Sequence, residues 1–204
     1  MKKIIFTDSL LLDYLDDEDF QLLREKVLEE LKKAEQSNNG RYLSNRGGFQ
    51  TYDLDHKKNK EIIEIAIKNT LQIIKKNYFF KKIQIKIDNI WINKNPKMAV
   101  NLPHIHPRSN FSGVIYIRVP EQDGELVFYR GDKASCMMGE QIFTNKDFAS
   151  SCNVKPEEQM IVLFPSHFEH MVHPHFQDIN RISISFNIRV ENATNIEDKK
   201  DFDD

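Results

Sequence analysis

Two periods of apolar residues divide the chain. Between Asp16 and Gln36, the residues Phe20, Leu23, Val27 and Leu31 recur every third or fourth position among Glu and Lys, the spacing that gathers apolar side chains onto one stripe of an α-helix. A second helix is expected over 57–76, with Ile63, Ile67, Leu71 and Ile74 on its stripe and a lysine-rich face toward solvent. After Tyr78 the period falls to two, with Ile83, Ile85 and Ile87 alternating with Gln84, Lys86 and Asp88. Successive strand residues point to opposite faces, so this alternation predicts a half-buried strand. Strands are expected at 81–93, 97–105, 111–119, 125–130, 159–164, 168–173 and 181–190, set apart by turn-rich pieces such as "PEQDGE" and "HPHFQDIN".

Two helices followed by a run of short strands predict a mainly β protein, an antiparallel sandwich or jelly roll with both helices packed on one sheet. No repeat and no second domain is evident. The expected organisation is a single domain over 1–190, with a helical part at 1–78 and a jelly-roll core at 79–190. The residues 191–204, "ENATNIEDKKDFDD", are polar and acidic and are expected to form a disordered tail.

Charge narrows the function classes. The chain carries 29 basic and 31 acidic residues, a formal net charge of −2, with no dominant basic block, so the sequence holds no nucleic-acid signature. Acidic residues interrupt the start too early for a signal peptide, and no apolar run is long enough to cross a bilayer. A soluble, cytoplasmic protein is therefore expected. Its two cysteines, Cys136 and Cys152, are expected to be free thiols in that setting.

The seven histidines are unevenly placed. His56 stands alone, His104 and His106 sit in "NLPHIHPRSN", and His167, His170, His173 and His175 crowd the stretch 167–175. Residues i and i+2 of a strand point the same way, so His104 and His106 can present two imidazoles to one point while Ile105 faces the opposite layer. A third ligand from a later strand would complete a metal site, and His170, after the apolar "MIVLF" and a turn, is the best placed. Three protein ligands with positions left open describe a catalytic rather than a structural metal site. A lone strand histidine is more often an ordinary hydrogen-bonded residue, and His167, His173 and His175 read as loop residues.

Downstream, "RISISFNIRV" places Arg181, Ser183, Ser185 and Asn187 on one face and Ile182, Ile184, Phe186 and Ile188 on the other. A guanidinium can meet a carboxylate with two parallel charge-assisted hydrogen bonds, and serine can add a third. A solvated face would suit the same residues.

The order of "HIHPRSNFSGVIYIRVPEQDGELVF", "FPSHFEHMVHP" and "RISISFN", with "SNRGGFQT" upstream, resembles the iron(II)- and 2-oxoglutarate-dependent oxygenases, most closely the small oxygenases common in phages and marine bacteria. The resemblance spans roughly residues 44 to 190 and implies a double-stranded β-helix of the jelly-roll, cupin-like type. It implies His104 as first iron ligand, His170 as the distal one, Arg181 as anchor of the far carboxylate of 2-oxoglutarate, Ser183 as its helper and Tyr116 as a further contact. His106 stands where most relatives carry Asp or Glu. An all-histidine set removes one negative charge and shifts the preference among divalent ions.

The function so implied is hydroxylation of an unidentified substrate C–H bond, with iron(II) as cofactor, another divalent metal able to take its place on purification, and 2-oxoglutarate as cosubstrate leaving as succinate and carbon dioxide. Two other readings stay open: a three-histidine dioxygenase without 2-oxoglutarate, and a non-catalytic jelly-roll binding module. Substrate choice is expected to lie in the loops "SNRGGFQT" and Gly131 to Asn153. Oligomeric state has no signature in the sequence.

Overall fold

The computed structural model describes residues 9–78, 80–122, 124–129 and 151–195. Eleven strands and two helices occur among them, in the order β1 (Leu11–Tyr14), α1 (Asp17–Gln36), β2 (Asn45–Arg46), β3 (Phe49–Gln50), α2 (Lys60–Asn77), β4 (Phe80–Asn95), β5 (Val100–His104), β6 (Phe111–Arg118), β7 (Leu126–Tyr129), β8 (Ser151–Val154), β9 (Met160–Pro165), β10 (His170–Val172) and β11 (Arg181–Asn195). All named pairings are antiparallel. One sheet runs β1-β9-β6-β11-β4-β3 and the other β2-β5-β10-β7-β8. Chain neighbours repeatedly fall in different sheets, which is the double-stranded β-helix expected from the sequence.

Helix α1 starts where Asp16 accepts a hydrogen bond from the Asp19 amide at 2.8 Å, and Asp17, Glu18 and Asp19 set negative charge against its N-terminal dipole. Helix α2 begins three residues later than its apolar period suggests. Asp55 accepts from the amides of Lys57 and Lys58 at 2.9 and 3.1 Å, holding those residues in a turn that precedes the helix.

The alternation in β11 sorts two cores. Ile182, Ile184, Phe186 and Ile188 join Phe20, Leu23, Val27, Ile62, Ile73 and Ile74 in the apolar layer between the six-stranded sheet and the helices. Val114, Tyr116, Leu126, Phe128, Val162 and Phe164 fill the space between the two sheets. At the crossing of β6 and β11 the Phe186 ring lies over Gly113, where a Cβ would come within 2.4 Å of it. A side chain at 113 would displace the ring that seals the helical layer.

Several boundaries differ from the sequence reading. Strand β11 continues to Asn195 because β4 begins at Phe80 and pairs with it along its whole length; the rest of the expected tail lies outside the described residues. Strand β5 ends at His104, and His106 stands beyond it. Pro103 and Pro107 flank this stretch and have no amide hydrogen to continue a ladder. Ile105 is therefore 49% exposed instead of facing the opposite layer. Cys152 is free and exposed on β8, and Cys136 falls outside the described residues.

Candidate metal and cosubstrate site

Strands β5 and β10 are neighbours, and the register sets His104 directly opposite His170. His106 reaches the same point by another route: its amide donates to the Ser166 carbonyl at 2.9 Å, tying the segment after β5 to the turn before β10. One ring nitrogen from each of His104, His106 and His170 falls within 4.8 Å of the others, and among the described residues no other set of three His, Cys, Asp or Glu converges so. Ring centroids lie 4.3 to 5.1 Å apart.

Backbone contacts select the tautomers. His104 Nδ1 lies 2.7 Å from the Leu102 carbonyl and His170 Nδ1 lies 2.8 Å from the Phe168 carbonyl. A carbonyl only accepts, so each Nδ1 holds the proton and each Nε2 is left with a lone pair. His106 Nε2 is 3.3 Å from His170 Nε2. Two nitrogens bound to one ion at about 2.0–2.1 Å stand about 2.8–3.4 Å apart for bond angles between square and tetrahedral. The spacing of these imidazoles therefore fits a shared divalent cation.

Electrostatics favours the same state. Burial pushes His106 down to about 3, with His170 and His104 adding to the effect. Burial also lowers His170 to about 4, again helped by His104, and lowers His104. All three are neutral at pH 7, as ligands must be. Phe164 and Phe128 pack edge-on and tilted against His170, with centroids at 4.7 and 5.7 Å, and keep water from that side.

The inward face of the larger sheet forms successive polar rungs. Arg181 stands opposite Asn95; Ser183 lies between Asn93 and Tyr116, with Gln50 beyond Asn93; Ser185 lies between Trp91 and Val114; Asn187 lies between Asn89 and Ser112. Arg181 is 3% exposed and donates from Nη1 to the Gly124 carbonyl at 2.7 Å. A Cβ on Gly124 would stand 3.0 Å from that nitrogen. Desolvation lowers the Arg181 pKa, and the same cause pushes the buried Tyr116 hydroxyl up to about 12 against the pull of the Arg181 charge. A buried guanidinium without a carboxylate partner is costly, and no ion pair of Arg181 occurs among the described residues. The cradle suits an incoming anion.

Residues 89–187 match the family model described as "Putative 2OG-Fe(II) oxygenase". The chain carries a 2OG-Fe(II) oxygenase segment. The matched segment contains every histidine of the cluster and Arg181. No curated protein matches the chain. Among solved structures, a prolyl-4-hydroxylase from Pseudomonas putida is 16% identical with a TM-score of 0.59, covering 91% of this chain and 95% of that one. HygX from Streptomyces hygroscopicus, with nickel and 2-oxoglutarate bound, is 10% identical with a TM-score of 0.62 over 90% and 83%. A viral collagen prolyl hydroxylase from Paramecium Bursaria Chlorella virus-1, in complex with 2-oxoglutarate, is 13% identical with a TM-score of 0.54 over 88% and 94%. These likenesses establish the fold. The oxygenase's family cofactors are iron(II) and 2-oxoglutarate, and the lone pairs freed on His104 and His170 fit the metal. No described helix is long and apolar enough to cross a membrane.

A cleft of about 660 Å³ opens beside the histidines. Its wall includes His104, His106, Trp91, Gln50, Arg41 and Asn187. The periodicity of the chain gave no reason to single out Arg41, Gln50 or Trp91. Gln50 does belong to the "SNRGGFQT" segment expected to govern substrate choice.

Proposed function

We propose that this oxygenase hydroxylates a substrate C–H bond at the cleft beside His104 and His106, with iron(II) held by His104, His106 and His170 and 2-oxoglutarate anchored by Arg181. The observation that carries the reading is the convergence of three neutral imidazoles, two with their Nδ1 protons committed to backbone carbonyls. When bound, iron and 2-oxoglutarate together supply the activation of dioxygen, the cosubstrate leaving as succinate and carbon dioxide.

The residues of the chain position and exclude. His104 and His170 hold their rings by backbone hydrogen bonds, so the lone pairs stay aimed without reorganisation. His106 must carry its proton on Nδ1 to ligate, which converts its 3.3 Å approach to His170 from a possible hydrogen bond into a shared coordination edge. Arg181 offers the rest of its fork to the distal carboxylate, with the Ser183 and Tyr116 hydroxyls as further donors on adjoining strands. Phe128 and Phe164 keep the inner wall apolar.

The test is anaerobic titration of iron(II) and 2-oxoglutarate into the protein, following the visible charge-transfer band of the chelated keto acid, for wild type and Arg181→Ala. A saturable band that needs at least about tenfold more 2-oxoglutarate in the variant supports the assignment. A band unaffected by the variant removes Arg181 from the site. Iron binding without any band would point to a three-histidine dioxygenase that does not use 2-oxoglutarate.

A further inference from the structure

Three features of the cleft remain unused by the metal and cosubstrate. Gln50 is 2% exposed, lines the cleft, and its Oε1 has no hydrogen-bond partner. Arg41, beside it through a 2.8 Å bond from the Arg41 amide to the Gln50 carbonyl, also lines the cleft and leaves Nε buried and unpartnered. Trp91 supplies a flat wall between them and the metal: the Arg41 guanidinium carbon stands 5.5 Å from its ring centroid, and the His106 ring stands 5.8 Å from it on centroids.

Buried polar atoms without partners are rare because each forfeits the hydrogen bonds it made to water. Here an acceptor and a donor on two residues of the cleft wall are left without partners. We infer that Gln50 Oε1 and Arg41 Nε form a subsite for an uncharged amide of the substrate, its N–H donating to Gln50 and its carbonyl accepting from Arg41, while the body carrying it lies on Trp91. This inference deepens the oxygenase reading and rests on it for calling the cleft a substrate site.

Charge and surface character agree. The cleft's two charged residues, Arg41 and Asp53, are paired with each other at 2.7 Å, so the guanidinium charge is already answered and an anionic substrate gains little. The lips are apolar and exposed: Tyr42 is 84% exposed, and Leu43, Leu102 and Ile105 are exposed as well. An amide on an apolar body meets both the lips and the floor.

The chain has a single tryptophan, Trp91, so its fluorescence reports occupancy of this cleft. The test titrates benzamide, N-methylbenzamide and N,N-dimethylbenzamide into the protein loaded with cobalt(II) and 2-oxoglutarate, for wild type, Gln50→Leu and Gln50→Glu. Wild type is expected to bind benzamide about tenfold more tightly than the dimethyl compound, which has no N–H. Gln50→Leu loses that preference and Gln50→Glu, which keeps an acceptor, retains it. N-methylbenzamide equal to benzamide assigns a secondary amide such as a peptide link, and a weaker N-methyl compound assigns a primary carboxamide. Equal binding of all three probes to wild type, with the cobalt spectrum intact, overturns the subsite and leaves the oxygenase reading standing. A benzamide preference without cobalt binding supports the subsite and overturns the metal assignment instead.

Discussion

His106 Nε2 faces His170 Nε2 across 3.3 Å, although His106 lies outside any strand and His170 begins β10. With the His106 proton on Nδ1, as ligation requires, two lone pairs face each other at that range, and a cation between them converts their repulsion into two bonds. Loss of either ring removes a third of the proposed ligand set. Replacement of His170 by Ala is expected to weaken iron(II) or cobalt(II) binding by at least about 100-fold, since even residues that merely support a ligand cost 10–100-fold. Isothermal titration of the metal-free protein reads this directly; an affinity within threefold of wild type would remove His170 from the site.

Arg181 and Tyr116 share the buried end of the barrel interior, and the positive charge of the one opposes the desolvation that raises the other. Lys in place of Arg181 keeps the charge but loses the planar fork and the bond to the Gly124 carbonyl. The expected outcome is a KM for 2-oxoglutarate raised about tenfold with a smaller change in kcat, measured by succinate formation. Tyr116→Phe removes one hydroxyl donor and should raise the same KM by a few-fold.

Protons and metal compete for the same nitrogens. An unfolded histidine takes its proton near pH 6.5, whereas folded His106 and His170 resist it to about 3 and about 4. Between those limits the unfolded chain binds more protons than the folded one, so the metal-free protein loses stability as pH falls from about 7 toward 4. Its Tm should drop across that window, and the drop should shrink in His106→Gln. Metal release on acidification should fall in the same range. A flat Tm between pH 7 and 4.5 would contradict the burial of the pair.

Phe186 and Gly113 lock the helical layer onto the sheet. A methyl at 113 collides with the Phe186 ring, and overpacking of this kind costs about 1–3 kcal/mol. Gly113→Ala should therefore lower Tm by several degrees. Phe186→Ala, which empties a fully buried position, should cost about 3–5 kcal/mol. Gly113→Ala in the Phe186→Leu background should recover part of its loss, because the colliding ring is gone; thermal melts of the three variants check the relation.

The parts of this fold governed by local periodicity were legible. Helix α1 follows its stripe to within a residue at each end, and β11 shows in sequence the same sorting of Ile and Phe outward to the helices and Arg, Ser and Asn inward. Short strands were not legible: β2 and β3 are two residues each and exist because β5 and β4 offer them edges. Pairing across such distances leaves no local pattern. The i, i+2 argument for His104 and His106 assumed a continuous strand, and the prolines end it at His104; a backbone bond to Ser166 instead brings His106 inward. Arg41 lies in the loop after α1, Gln50 on β3 and Trp91 on β4, and they meet only in the folded chain.

The most direct measurement is a crystal structure of the anaerobic protein with iron(II) and 2-oxoglutarate, using anomalous scattering at the iron edge to place the ion. The account predicts one iron peak about 2.1 Å from a ring nitrogen of each of His104, His106 and His170, and the distal carboxylate of 2-oxoglutarate paired with Arg181. Iron held by only two of these histidines, or 2-oxoglutarate bound away from Arg181, would contradict it.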